Sequence, residues 1–161
     1  MPAGSRERLQ PALLDRLSDD EPEQHVEARN KRVITLKKLQ EYVTRDLNWL
    51  LNTTALSISD DLSQFPEVEN SVINYGANSF SGISASSIEP HLLERRLRQS
   101  ILLYEPRILT KTLEVIVQEQ DDMNRNAIVF HISGELWAEP LPIALYIKTE
   151  IDLETGEVNL S

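Results

Sequence analysis

Between Tyr104 and Thr112 the spacing of apolar residues changes from three and four to two, the difference between a helical face and a strand face. Upstream, Leu93, Leu97, Ile101 and Tyr104 recur at helical intervals; downstream, Leu113, Val115 and Val117 alternate with Thr112, Glu114 and Ile116. A single switch of this kind places the helices before the strands rather than between them. Parallel strands need a crossover helix each, so strands that follow one another without one must pair antiparallel. The pattern predicts an α+β fold, N-terminal helices followed by a small antiparallel β-sheet.

The helical half reads as an arm and a main body. Leu9, Leu13, Leu14 and Leu17 share one helical face, with Pro11 restricting the helix to starting there or just after. Asp19 to Glu23 then form an acidic stretch broken by Pro22, and Arg29, Lys31 and Arg32 follow with the opposite sign. Residues 1–32 are therefore expected to be a flexible arm carrying a short amphipathic helix, ahead of a single α+β domain over 33–161. From Val33, the residues Leu36, Leu39, Val43, Leu47 and Leu50 form a stripe for a helix of about five turns, with Lys37, Lys38, Glu41 and Arg45 on its outer side. Asn52 to Thr54 end it. Pro66 suits the first turn of a short helix carrying Val68, Val72, Ile73 and Tyr75 and stopped at Gly76, and residues 76–87 read as a loop. Ser86 with Glu89 matches a capping box for the next helix, which Pro106 should stop at about Tyr104 or Glu105.

In the second half the first strand falls within residues 108–118, and Asp121 to Asn126 makes a turn into a strand from Ala127 to about Trp137. In the third strand Ile143, Leu145, Ile147, Thr149, Ile151 and Leu153 face one way and Ala144, Tyr146, Lys148, Glu150 and Asp152 the other, so one face is buried and the other wet. Glu154 to Glu157 can close a hairpin onto a short strand at Val158 to Leu160.

Composition narrows the chemistry. A formal charge of −10 argues against phosphate backbones and anionic lipid as partners, so no nucleic acid and no direct membrane insertion are expected. The absence of cysteine removes thiolate metal sites and a cysteine nucleophile. No apolar run approaches the roughly 20 residues that cross a bilayer, which leaves the chain expected in the cytoplasm. The glycines are too dispersed for a phosphate-binding loop, and His25, His91 and His131 have no metal-ligand spacing, so neither a cofactor nor a metal is expected. A carboxylate pair such as Glu105 with Glu135 or Glu139 could in principle hydrolyse a glycoside, but 26 acidic residues generate such pairs by chance.

Charge is unevenly spread. Arg95, Arg96, Arg98, Arg107 and Lys111 outnumber Glu94 and Glu105 over residues 91–111, whereas residues 112–161 are strongly acidic. Glu105, Pro106 and Arg107 stand at the helix-to-strand junction, where proline fixes the backbone between two opposite charges. They can meet each other in an internal ion pair or meet a partner.

Leu13-Leu14-Asp15-Arg16-Leu17, Ser71-Val72-Ile73-Asn74-Tyr75-Gly76 and Glu105-Pro106-Arg107 together resemble the TssE family, baseplate subunits of bacterial type VI secretion systems, themselves similar to phage baseplate wedge proteins of the group sometimes labelled lysozyme-like. The resemblance implies a structural, non-enzymatic component that joins the baseplate wedge to the contractile sheath and starts sheath polymerisation by exchanging strands. It implies as partners the baseplate subunits TssF, TssG and TssK, the sheath proteins TssB and TssC, and the base of the spike and tube, at a membrane-docked baseplate. On it, Glu105, Pro106 and Arg107, with Leu13, Leu14 and Leu17 of the arm, become the expected partner-binding residues. The alternatives are a peptidoglycan hydrolase and an adaptor that binds by strand addition.

Overall fold

The computed structural model of the chain describes residues 12–17, 35–77, 89–118, 127–138 and 141–161. Helices α1 (Leu13–Leu17), α2 (Leu36–Leu51), α3 (Pro66–Glu69) and α4 (Pro90–Tyr104) precede strands β1 (Glu114–Gln118), β2 (Ala127–Leu136), β3 (Ile143–Asp152) and β4 (Val158–Leu160). The strands pair antiparallel in one sheet of order β1-β2-β3-β4, so the fold is α+β with the helices first. The segment read as a linker, the 78–87 loop and the 121–126 turn lie outside the described residues.

Helix α2 forms where its apolar stripe runs, and it is capped. The Thr35 hydroxyl accepts the Lys38 N–H at 3.2 Å, satisfying a donor that the first turn leaves open. Asn52 ends the helix. Leu39, Val43, Leu47 and Leu50 are buried, joined by Leu51, while Leu36 in the first turn stays exposed. Helix α4 buries Leu93, Leu97 and Ile101 and begins at Pro90, with Glu89 as its N-cap. Glu89 therefore sits before the first turn rather than in it, and its side chain makes no capping bond, so it does not act as the third-position partner in a capping box. Ser86 lies outside the described residues.

The two long helices cover one face of the sheet, α4 over β1 and α2 over β3 and β4. Between the layers lie Leu47, Leu50, Leu97 and Ile101 from the helices and Phe130, Ile132, Leu136 and Ile151 from the strands. Each such side chain stabilises the fold by roughly 1.5–3 kcal/mol, which makes this interlayer core the main reason the helices lie where they do. Strand β3 alternates as expected, with Leu145, Ile147, Thr149, Ile151 buried and Ala144, Tyr146, Lys148 and Glu150 exposed. On the wet face Tyr146 stacks on His131 across the strands, and its hydroxyl lies 2.8 Å from Nδ1.

The 66–76 segment departs from a single short helix. It divides into α3 and a 3-10 turn at Val72–Asn74, and Val72 and Ile73 are 81% and 66% exposed instead of sharing a buried face. The reason is a close chain crossing at Gly76. Ala77 donates to the Thr53 carbonyl at 2.8 Å and receives the Ala55 N–H at 3.1 Å, which draws this segment against the end of α2. A Cβ on Gly76 would lie 2.5 Å from the Thr53 oxygen, and its φ of +141° is one that other residues avoid. Gly76 serves this crossing, not a helix end.

Strand β1 is also shorter than the alternating run. Residues 109–112 turn, and Ile108 makes a separate bridge to Leu136, leaving Glu114–Gln118 paired with β2. Side chains occupy part of each outer edge of the sheet. On β1, Arg98 Nε donates to the Leu113 carbonyl at 3.1 Å and Glu94 accepts the Val117 N–H at 2.9 Å. On β4, the Asn52 amide both donates to the Val158 carbonyl and accepts the Val158 N–H, each at 2.9 Å. Edges left open invite pairing with another chain, and polar side chains are one way to blunt them.

Thr149 lies in the middle of β3, fully buried, and its hydroxyl has no hydrogen-bond partner. A buried hydroxyl without a partner costs about 1–3 kcal/mol, so Thr149→Val should raise stability by about 1 kcal/mol in urea unfolding. Loss of stability on that change would mean that the hydroxyl is satisfied in solution.

Candidate functional site

The helix-to-sheet junction is where the sequence concentrates opposed charges, and its backbone is fixed first. Glu105 ends α4, its N–H bonding the Ile101 carbonyl at 2.8 Å, and Pro106 prevents the helix from continuing. The chain then turns back through an Ile108 N–H bond to the Glu105 carbonyl at 3.2 Å. Arg107 is held on the far side, where its carbonyl accepts the Trp137 N–H at 2.8 Å, just past the end of β2. The triplet thus spans a rigid bend anchored to α4 and to the sheet.

Its two charges meet each other. The Glu105 side chain is buried, and its Oε1 accepts Arg107 Nε at 2.7 Å and the Arg107 backbone N–H at 3.1 Å, while Oε2 accepts Nη2. This is the two-pronged geometry that arginine makes with a carboxylate and lysine cannot. Arg107 Nη2 also donates to Asp46 Oδ2 on α2. Asp46 Oδ1 accepts Arg45 Nε at 2.8 Å and Nη2 at 2.7 Å. Arg45 Nη2 in turn donates to Asp15 Oδ1 at 2.7 Å, and Asp15 Oδ2 lies 3.9 Å from Arg107 Nη1. Two carboxylates, Asp15 and Asp46, and two guanidiniums therefore close a ring of charges joining α1, α2 and the bend, and Glu105 is tied to it through Arg107.

Electrostatics follow from that ring. Burial alone would depress the Arg107 pKa, but the hydrogen bonds and charges of Glu105 and Asp46 outweigh it and hold the guanidinium above its ordinary value. Arg45 is raised in the same way by Asp15 and Asp46, again against its own burial. Arg45 also lies over the Tyr42 and Trp49 rings, 5.1 Å and 4.9 Å from their centroids, so its position is fixed from both sides. Burial, then the charges of Asp46 and Glu105, push the Tyr75 phenol up, keeping it neutral beside the ring.

A groove of about 340 Å³ lies over these charges, walled by Leu14, Trp49, Tyr75, Tyr104 and Pro106. Tyr75 and Tyr104 meet edge to face with centroids 5.2 Å apart, and the Tyr104 hydroxyl donates to the Ser71 carbonyl at 3.0 Å. The site is an apolar cleft with a charged floor. Both Glu105 oxygens accept hydrogen bonds from Arg107. Glu135 is exposed on the sheet, and Glu139 lies outside the described residues. Among the described residues no group of three or more His, Cys, Asp or Glu side chains could hold a metal ion.

The expected site residues divide. Glu105, Pro106 and Arg107 come together as one unit with α1, which is joined to them by Asp15, 7% exposed. Leu14 lines the groove at 48% exposure, while Leu13 and Leu17 are 69% and 75% exposed. Sequence reading missed Asp15, Arg45 and Asp46 as members of the site; the adjacent opposite charges Arg45 and Asp46 on α2 were the available signal.

Removing Arg107 would leave Glu105 buried without its partner. Breaking a buried pair from one side costs about 3–5 kcal/mol, and with the Arg107 side chain 22% exposed the lower end applies. Arg107→Ala should therefore destabilise the purified chain by about 3 kcal/mol, and Arg107→Lys by less, since it keeps the charge without the fork. Thermal melts of both variants measure this, and an unchanged melting temperature for Arg107→Ala would show that the pair contributes nothing to the fold.

A family model described as baseplate wedge protein gp25 matches residues 37–141. The match takes in Arg45, Asp46 and the whole 105–107 bend and stops short of β3 and β4. No curated protein matches the chain significantly.

Proposed function

The chain belongs to the family of the baseplate wedge protein gp25, a structural component of phage-tail-like baseplates, and on that footing we propose that it serves a type VI secretion baseplate. In this reading it is a non-enzymatic subunit that links the wedge to the contractile sheath and helps start sheath polymerisation. It works in the cytoplasm, recruited to the membrane-docked baseplate, as an arm over 1–32 and a body over 33–161. The bend Glu105–Pro106–Arg107, with Leu13, Leu14 and Leu17, receives the baseplate subunits TssF, TssG and TssK, and the sheet receives the sheath proteins TssB and TssC. Leu13 and Leu17 are exposed and the groove beside Pro106 is apolar, which supports the first contact.

The observation that carries the sheath contact is the way the β1 edge is partly occupied. Its outward backbone groups belong to Leu113, Val115 and Val117, and the bonds found there come from two side chains, Arg98 and Glu94. Bonds to charged side chains contribute about 1.5–3 kcal/mol each, so an incoming strand would start at Val115, whose outward groups neither side chain takes, and extend from there along the edge. The three-residue β4 is the poorer candidate, since Asn52 holds Val158 by two bonds and is itself bonded to Asn48.

Hydrolysis of peptidoglycan is disfavoured by the same geometry that makes the bend rigid. Glu105, the member of the candidate pairs that lines the groove among the described residues, is 3% exposed and has both oxygens bonded to Arg107. Among the described residues, no helix is long and apolar enough to cross a membrane.

Amide hydrogen exchange tests the sheath contact. Adding the purified sheath proteins TssB and TssC to the full chain should slow exchange at Val115 and Val117 by tenfold or more. Sheath binding with unchanged protection along both sheet edges would rule out strand addition and leave side-chain docking as the link.

A further inference from the structure

From Asp46 to Pro90 the chain has no Lys, Arg or His. Within that stretch, a 3-10 turn at Leu56–Ile58, helix α3 and the 3-10 turn at Val72–Asn74 form a knot of short elements. Neither the Leu56–Ile58 turn nor α3 contains a buried residue, and Leu62 between them is the buried apolar residue of the segment. A polar side chain links the elements. Asn74, 8% exposed, accepts the Ser57 N–H at 2.8 Å and donates to the Glu69 carbonyl at 2.9 Å, tying all three elements together.

What this fixed knot displays is apolar. Ile58, Phe65, Val72 and Ile73 are 45%, 59%, 81% and 66% exposed, and Asp60, Asp61, Glu67 and Glu69 stand among them with no cation nearby in the sequence. Large apolar side chains rimmed by charge on a rigid loop mark a protein-binding surface. The backbone bonds of the knot run inward, from Ile58 to Ala55, Asp60 to Leu56, Phe65 to Leu62 and Asn70 to Pro66, so recognition there goes through side chains and not through an added strand.

We propose that residues 56–73 form a docking surface for an amphipathic helix of a partner protein, one that sets an apolar stripe on Phe65, Val72 and Ile73 and flanks it with lysine or arginine. Charge complementarity selects this occupant: an acidic or neutral helix would bring no counter-charge to four carboxylates that form no ion pair with another of the described residues. The surface uses none of the charged residues of the bend and neither sheet edge.

The test titrates the full chain, labelled with nitrogen-15, with two synthetic helical peptides of identical leucine pattern, one carrying lysine on its polar face and the other glutamate. The lysine peptide should shift amides within residues 56–76, and the glutamate peptide should shift none. Phe65→Ser with Ile73→Ser, both exposed positions, should weaken the lysine peptide at least tenfold without changing the melting temperature. Glu67→Gln with Glu69→Gln should weaken it by a smaller, salt-dependent factor. Equal binding to the serine variant, or shifts centred on the acidic residues 112–161, would reduce the contact to charge alone and overturn the proposal. Shifts in residues 56–76 that grow with protein concentration in the absence of peptide would overturn it in favour of a second copy of this chain.

Discussion

The guanidinium of Arg107 is the point through which the parts of this molecule are joined. It is fixed by its own backbone at the end of β2, pairs with the carboxylate that ends α4, and reaches Asp46 on α2. Each of those charges would be costly to bury alone. Together they tolerate burial because every carboxylate has a guanidinium and the Arg107 fork is filled on its Glu105 side. Such a pair adds little net stability over a well-packed apolar substitute, but it strongly disfavours any arrangement in which one partner is missing. Pro106 lies between the two charges and sets the angle at which they meet.

Several features follow from that junction. With α4 and the start of β1 set by the bend, Glu94 and Arg98 on α4 fall beside the edge of β1 and occupy part of it. Asp46 takes both Arg107 and Arg45, Arg45 also reaches Asp15, and α1 is thereby joined to the body by a charge while Leu13 and Leu17 remain at the surface. The molecule thus combines a rigid charged corner, an apolar groove above it and a sheet edge partly occupied by two side chains. These are properties of a part built to be joined to others.

The sequence made the architecture readable because burial leaves a periodic trace. The stripe of α2, the alternation of β3 and the change of period near Pro106 each reflect which residues face the interlayer core. Pairing leaves no such trace. Asp15 meets Arg45 across 30 positions and Asp46 meets Arg107 across 61, distances at which nothing in the sequence singles out one opposite charge among many. The stripe of the short N-terminal helix was legible, but nothing local to it marked Asp15 as the residue that ties it to Arg45. Val72 and Ile73 failed for a different reason. The crossing at Gly76 draws the segment against the end of α2 and leaves them in a separate turn, and a contact between residues 53 and 77 is invisible to a local pattern.

The claim that Arg107 unites the helices with the corner is tested most directly by a double-mutant cycle between Asp46→Asn and Arg107→Gln, read by urea unfolding of the full chain. Residues that share one charged network couple by about 0.5–3 kcal/mol, and a value of about 1 kcal/mol or more is expected here. Effects that add to within about 0.5 kcal/mol would contradict it, leaving α2 and the bend as neighbours held only by the apolar core.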